Sequence, residues 1–238
     1  MKTSNLSKFQ KVSTHDFIKS IPLFAHLTNE ELSELGRIVV KKHFSKEEMI
    51  LLEEDTSNYM YFIYSGKVKV VQISEDGREQ ILAIHKKGES FGEMSLLDGK
   101  TSPATVIAME DADVGLISKN DFERHLLGNI KALKQIISML SSQLREAWMR
   151  LKILSFADSE QRVRAALKLL GEQNGIKDLR GTIISLKLTH KDIAAYASVS
   201  RETVTRIVDR LLKDGEIEIL DNKNILLKPP FTEKISVI

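Results

Sequence analysis

Between residues 189 and 213 the chain gathers side chains suited to reading a hydrogen-bonding surface. Arg201, Glu202, Thr205 and Arg206 lie close together, preceded by Ser200 and followed past an apolar stretch by Lys213. Wound as a helix, Val204, Ile207, Val208 and Leu211 make one face; Glu202, Thr205, Arg206 and Asp209 make the opposite one, with Arg201 at the exposed N-terminus. An Arg guanidinium offers paired donors that match guanine O6 and N7, and a Glu carboxylate accepts from cytosine N4. Glu202 stands one helical turn before Arg206, close enough to orient it as well.

Other chemistry is thinly represented. The chain has no cysteine, which excludes disulfides, thiolate zinc sites, iron–sulfur clusters and a cysteine nucleophile. The six histidines are His15, His26, His43, His85, His125 and His190, and no two lie within ten residues of each other. A metal enzyme of the small-barrel type needs a tighter cluster. No P-loop, HExxH motif or nucleophile elbow is found. We therefore expect neither an enzyme nor a metal site.

The elements that must position the reading face follow from local signals. Thr189 and Asp192 have cap and N3 spacing and open a helix; Ile193 and Tyr196 give it an apolar side, and Ala194 and Ala195 allow a close crossing. Ser198-Val199-Ser200 breaks that helix, and Ser200 caps the next. Two short helices joined by a three-residue turn are the parts of a helix–turn–helix. Residues 216–220 and 225–227, around a turn at 221–224, predict a hairpin that serves as a wing.

Upstream, Leu133, Ile137, Leu140, Leu144, Ala147, Leu151 and Leu154 alternate four and three apart, a heptad seam. No Gly or Pro interrupts residues 129–170. A stripe this narrow predicts a dimerisation helix over 128–156. Asp158 or Ser159 caps a further helix bearing Val163, Ala166, Leu167 and Leu170, which is expected to end at Gly171, with loops at Gly175 and Gly181 and a strand over 183–186. From about 39 to 118, short apolar runs at 49–52, 59–64, 68–73, 81–84, 105–108 and 114–117 alternate with turn signals at Gly66, Gly77, Gly88 and Gly99. That texture predicts an antiparallel sandwich or barrel. Thr28 and Glu31 form a capping box for a helix over 28–38.

Charge alone does not point to nucleic acid. The net charge is +2; residues 1–157 hold 21 basic and 21 acidic side chains, and the remainder 14 and 12. The segment 1–13 lacks the apolar core of a secretory signal, and no run approaches the roughly 18 apolar residues of a membrane span. A cytoplasmic setting without membrane partners is expected.

The run Ser200-Arg201-Glu202-Thr203-Val204-Thr205-Arg206 closely resembles the recognition helix of the cyclic-AMP receptor/fumarate–nitrate regulator (CRP/FNR) superfamily. The order of β-roll, long helix and winged helix–turn–helix is similar as well, over roughly residues 15–230. The resemblance implies an α+β chain. Its parts are an N-terminal antiparallel β-roll of the cyclic-nucleotide-binding type over 15–127, a dimerisation helix over 128–156, and a winged helix–turn–helix over 158–232. It implies a homodimeric transcription regulator bound to double-stranded DNA at an inverted repeat like TGTGA–N6–TCACA, with RNA polymerase as a further partner. Arg201, Glu202 and Arg206 stand where the family reads bases; Lys213, at the far end, reaches phosphate at most. Phe156 and Asp158 lie where the family places its hinge.

The segment 91–97 with Ala104, Thr105 and Val106 looks like the family's phosphate-binding cassette. The implied effector-binding residues are Gly92, Glu93, Met94, Ser95, Ser102 and Ala104, with Trp148 on the long helix. Gly92 and Glu93 match the ribose-binding positions. The family's Arg-Ser pair for the cyclic phosphate is Ser102 and Pro103 here, and its adenine-contacting Thr-Ser pair is Ala147 and Trp148. Losing one charged hydrogen bond weakens binding about tenfold to a hundredfold, so an effector other than cyclic AMP bound in the usual way is expected. Two alternatives stay open: a haem-dependent gas sensor, with His43 or His85 and a methionine as axial ligands, and a cyclic-nucleotide module of a signalling assembly, which has no need of the winged helix–turn–helix.

Overall fold

The computed structural model describes residues 14–25, 27–233 and 235. The N-terminal segment read above as lacking a signal lies outside them, as does His26. Helix α1 (Thr14–Ser20) and a 3-10 turn (Pro22–Phe24) lead into α2 (Asn29–Ile38). The Thr28 hydroxyl accepts from the Glu31 amide at 3.2 Å, and the Thr28 amide donates to the Glu31 carboxylate at 2.7 Å, closing the expected capping box.

Eight strands follow: β1 (Val40–Phe44), β2 (Met49–Leu51), β3 (Tyr59–Ser65), β4 (Lys67–Ile73), β5 (Glu79–Lys86), β6 (Ser90–Phe91), β7 (Thr105–Ala108) and β8 (Ala112–Ser118), with helix α3 (Glu93–Asp98) after β6. They form two four-stranded sheets, ordered β1-β8-β3-β6 and β2-β7-β4-β5. Phe44, Leu51, Tyr61, Ile63, Val68, Phe91, Val106 and Val114 are buried together, drawn from both sheets. The four turns read at Gly66, Gly77, Gly88 and Gly99 are all in place with left-handed backbone. Strands β1 and β6 and helix α3 were not expected from periodicity. Residues 40–43 of β1 are all exposed, and Lys41 and Lys42 lie over the Tyr64 and Phe44 rings at 4.3 and 4.6 Å. An edge strand protected by cations carries no alternating apolar signal.

Helix α4 (Lys119–Phe122) and a π-helical turn (Glu123–Leu127) precede the long helix α5 (Ile130–Phe156). On α5, Ala132 and Ile136 are buried in a core shared with Phe17, Phe24, Leu32, Leu35, Phe62 and Phe122. Helix α6 (Ser159–Asn174) is capped by the Asp158 carboxylate, which accepts from the Gln161 amide at 2.8 Å. Arg162 donates to the carbonyls of Leu154 and Ala157 at 2.8 and 3.0 Å, satisfying acceptors that the end of α5 leaves open.

Helix α6 does not end at Gly171 as expected; it runs on to Asn174. Gly171 is a packing glycine, since a Cβ there would lie 2.9 Å from Leu227 Cδ1. Gly175 and Gly181 do not mark loops either. They begin β9 (Gly175–Asp178) and β10 (Gly181–Ile184), an antiparallel hairpin. Helices α7 (His190–Ala197) and α8 (Arg201–Lys213), strands β11 (Ile217–Ile219) and β12 (Ile225–Leu227), and helix α9 (Pro229–Glu233) complete the chain. The third sheet is ordered β11-β12-β10-β9, so the expected wing hairpin is joined by the unexpected one. The fold is the α+β arrangement of antiparallel β-roll, long helix and winged helix–turn–helix. The chain divides into two compact units, residues 1–70 with 83–140, and 71–82 with 141–238. Among the described residues no helix is long and apolar enough to cross a membrane.

Candidate nucleic-acid interface and effector cradle

The helix–turn–helix is built from caps. The Thr189 hydroxyl accepts from the Asp192 amide at 3.1 Å, and the Asp192 carboxylate accepts from the Thr189 amide at 2.8 Å. Helix α7 stops at Ser198, whose φ of 55° is left-handed. Serine tolerates that region at a cost that glycine avoids. The Ser200 hydroxyl then accepts from the Thr203 amide at 3.1 Å and starts α8. Val204, Ile207, Val208 and Leu211 are fully buried, which fixes the rotation of α8. Ser200, Arg201, Glu202, Arg206 and Lys213 are left exposed, the first four at the N-terminal half. That is the half which enters a major groove.

Two details depart from the expected reading face. Among the described residues no ion pair joins Glu202 to Arg206; an exposed pair gains at most about 1 kcal/mol, too little to hold two long side chains together. Thr205 is half-buried, and its hydroxyl lies 3.1 Å from the Arg201 carbonyl and 2.8 Å from His190 Nδ1. With its single proton engaged between the Arg201 carbonyl and His190 Nδ1, the Thr205 hydroxyl has none left to give a base edge. His190 is thus a positioning residue of the reading helix that spacing did not single out, because the contact crosses from α7 to α8.

A chain of charges behind α8 was also not legible. Arg164 donates from both terminal nitrogens to Glu216, and from Nε to Glu160 at 3.1 Å. The other Glu160 oxygen accepts from Arg210 at 3.0 Å. The Arg164 and Glu216 side chains are 5% and 2% exposed. Burial opposes the charge on Arg164, but the Glu216 and Glu160 carboxylates outweigh it and hold the guanidinium proton more tightly than usual. The network ties the last turns of α8 and the start of the wing to α6.

In the β-roll, Gly92 has a φ of 84°, and a Cβ there would lie 2.9 Å from the Tyr61 ring and 3.1 Å from the Tyr59 carbonyl. The Tyr61 ring stacks on Phe91 at 5.0 Å. Glu93, Ser95, Ser102 and Ala104 are buried, whereas Met94 is exposed. The Ser102 hydroxyl donates to the Ala104 carbonyl at 2.8 Å, and the Ser102 amide donates to the Asp55 carbonyl at 2.9 Å. Both protons of Ser102 are therefore committed within the chain. Trp148 stands on α5 in the second unit and is 64% exposed.

Of the seam residues, Leu133, Ile137, Leu144, Ala147 and Leu151 are exposed along α5, as is Leu154. Leu140 packs partly against the core of its own unit. The haem candidates each turn a ring nitrogen to a carboxylate: His43 Nδ1 lies 3.0 Å from Asp113, and His85 Nδ1 lies 3.2 Å from Glu89. Among the described residues no three His, Asp or Glu side chains gather as a metal site.

Comparison with known proteins converges on one family. Residues 41–129 match the model of the cyclic nucleotide-binding domain, and residues 161–230 that of the Crp-like helix–turn–helix domain. The cyclic AMP receptor protein of Thermus thermophilus is 31% identical over 203 residues, covering 85% of this chain and 90% of that one. The global nitrogen regulator of a Nostoc species is 29% identical over 192 residues, covering 80% and 86%. Among solved structures, FixK2 from Bradyrhizobium japonicum superposes with a TM-score of 0.74 at 22% identity, covering 84% of this chain and 99% of that one. The exposed Arg201, Glu202 and Arg206 thus sit on a fold and a sequence shared with known regulators, and the chain belongs to the CRP/FNR superfamily of bacterial transcription regulators.

Proposed function

We propose that this regulator is a homodimer that binds double-stranded DNA sequence-specifically from the cytoplasm, without catalytic activity of its own. The observation that carries the reading is the N-terminal half of α8, capped by Ser200 and presenting Arg201, Glu202 and Arg206 to solvent. The dimer brings two such helices to successive major-groove turns of an inverted repeat resembling TGTGA–N6–TCACA. The seam on α5, exposed at Leu133, Ile137, Leu144, Ala147 and Leu151, is what joins the copies. Residues 15–127 form the effector-sensing domain, 128–156 the dimerisation helix and 158–232 the DNA-binding domain; RNA polymerase is the partner through which bound DNA is acted on.

The effector enters at the cradle of Gly92, Glu93 and Ser95 and is not cyclic AMP held in the usual way. Ser102, which stands where the family's phosphate-binding Arg is expected, has both protons engaged by Asp55 and Ala104. Pro103 beside it has no amide proton to offer. The relatives' names do not fix one effector, since one is a cyclic AMP receptor and another a nitrogen regulator. Binding-site selection on the wild type and on Arg206→Ala tests the DNA reading. The variant is expected to lose about 1–3 kcal/mol per half-site, concentrated at one G·C pair. Identical base preferences in both proteins would show that Arg206 only clamps phosphate.

A further inference from the structure

Thr205 differs from its neighbours on the reading face of α8. Arg201, Glu202 and Arg206 are exposed, whereas Thr205 is half-buried where it meets α7. Its hydroxyl is held from two sides. The Arg201 carbonyl, one turn back on α8, lies 3.1 Å away, and Nδ1 of His190, the first residue of α7, lies 2.8 Å away. The turn that carries His190 is itself fastened. The Asp192 carboxylate accepts from the Thr189 hydroxyl at 2.6 Å and from the Thr189 amide at 2.8 Å. Whether the imidazole donates or accepts, the single hydroxyl proton of Thr205 stays within the protein.

A threonine carries two heavy atoms on Cβ, and fixing one fixes the other. Free to turn, an exposed threonine offers a base edge either its hydroxyl or its methyl. With Oγ1 drawn back toward Arg201 and His190, Cγ2 is the atom left to offer. Thr205 stands four residues after Arg201 and one before Arg206, on the face shared with Glu202 and Asp209. In the major groove the apolar mark of a base pair is the thymine 5-methyl, and a threonine methyl is among the groups that pack against it. A hydroxyl oxygen that only accepts would instead favour the amino group of adenine or cytosine and be indifferent to that methyl.

We propose that Thr205 is a specificity-determining residue that reads a thymine methyl through Cγ2, and that His190 is the positioning residue that turns it to the groove. The inference rests on the DNA reading above. It adds an apolar contact to the guanidinium and carboxylate contacts of Arg201, Glu202 and Arg206. Each half-site then holds a T·A pair chosen by its methyl group rather than by a hydrogen bond.

The first step of the test needs no variant. A duplex recovered by binding-site selection on the wild-type chain is remade with deoxyuridine in place of each thymine in turn, in both half-sites together. This removes the methyl and keeps the base pairing. Affinity is read by fluorescence anisotropy. At one position the replacement should weaken wild-type binding about fourfold per half-site, the worth of one buried methyl-sized group. Thr205→Ser, which keeps the hydroxyl and removes Cγ2, should bind the thymine and uracil duplexes equally at that position. In His190→Ala the hydroxyl loses its partner on α7, and the thymine-to-uracil affinity ratio should fall toward unity. That ratio is taken within one protein, so a general loss of stability does not move it. Selected duplexes without a preferred thymine, indifference of the wild type to every uracil, or an undiminished ratio in Thr205→Ser would each overturn the methyl contact. An undiminished ratio in His190→Ala would overturn the positioning role. A wild type that selects no duplex at all would instead overturn the DNA-binding reading, and the methyl contact with it.

Discussion

Replacing Glu216 by Leu should unfold the DNA-binding region far more readily than any change on its surface. Glu216 takes both terminal nitrogens of Arg164, and the two side chains are 2% and 5% exposed. The variant leaves a buried guanidinium facing the Phe231 ring at 5.7 Å and one Glu160 oxygen at 3.1 Å. Removing one partner of a buried ion pair costs about 3–5 kcal/mol, and the remaining Glu160 contact places this case near 3 kcal/mol. For a domain of this size that corresponds to a fall of about 12–24 °C in Tm. The second replacement, Arg164→Met, removes the stranded charge and fills its volume, and apolar replacement of a whole buried pair is often neutral or better. The double variant should therefore recover at least half of the loss. Urea titration followed by hydrogen exchange at the α8 amides measures both, because it reports this region rather than the β-roll. A loss below about 1 kcal/mol in Glu216→Leu, or a double variant no better than the single, would refute the assignment of a buried, mutually dependent pair.

Three further outcomes are expected. Leu144→Lys with Leu151→Lys, at positions 51% and 62% exposed, should give a folded monomer by sedimentation, because like charges would meet in the seam; an unchanged dimer would place the interface elsewhere. Titration with cyclic AMP, followed through Trp148 fluorescence, should show no micromolar binding, since Ser102 has no free proton for the phosphate. The hydrogen bond that His43 donates to the Asp113 carboxylate raises the His43 pKa above 6.5, and the same bond lowers that of Asp113. The His43 contribution is complete below 6.5 and lost as pH rises through its raised value; the Asp113 contribution is present above 3.8 and lost as pH falls through its lowered value, so the pair acts mainly between these limits. Asp113→Asn should return the His43 titration, read by NMR, toward 6.5.

What the sequence carried by itself was local and periodic. Thr28 with Glu31, Thr189 with Asp192, and Ser200 with Thr203 are caps whose partners lie three residues apart, so spacing alone reveals them. The left-handed turns at Gly66, Gly77, Gly88 and Gly99 and the buried stripe of α8 are legible for the same reason. The candidate base-reading residues are therefore legible in the sequence alone.

What the tertiary structure decided was every relation between distant parts of the chain. Gly171 reads as a helix stop but is a point of close approach to Leu227, and β1 carries no apolar run of its own but pairs along its length with β8. Arg164 and Glu216 are 52 residues apart, His190 and Thr205 fifteen, and Gln80 and Ser198 118; nothing in their local spacing ties one to the other. Ser102 could be seen to replace an expected Arg, but that its protons are spent on Asp55 and Ala104 required the folded loop. Caps and stripes are set by backbone geometry over a few residues, whereas pairings across the fold depend on which surfaces packing brings together, and that is settled only when the whole core closes.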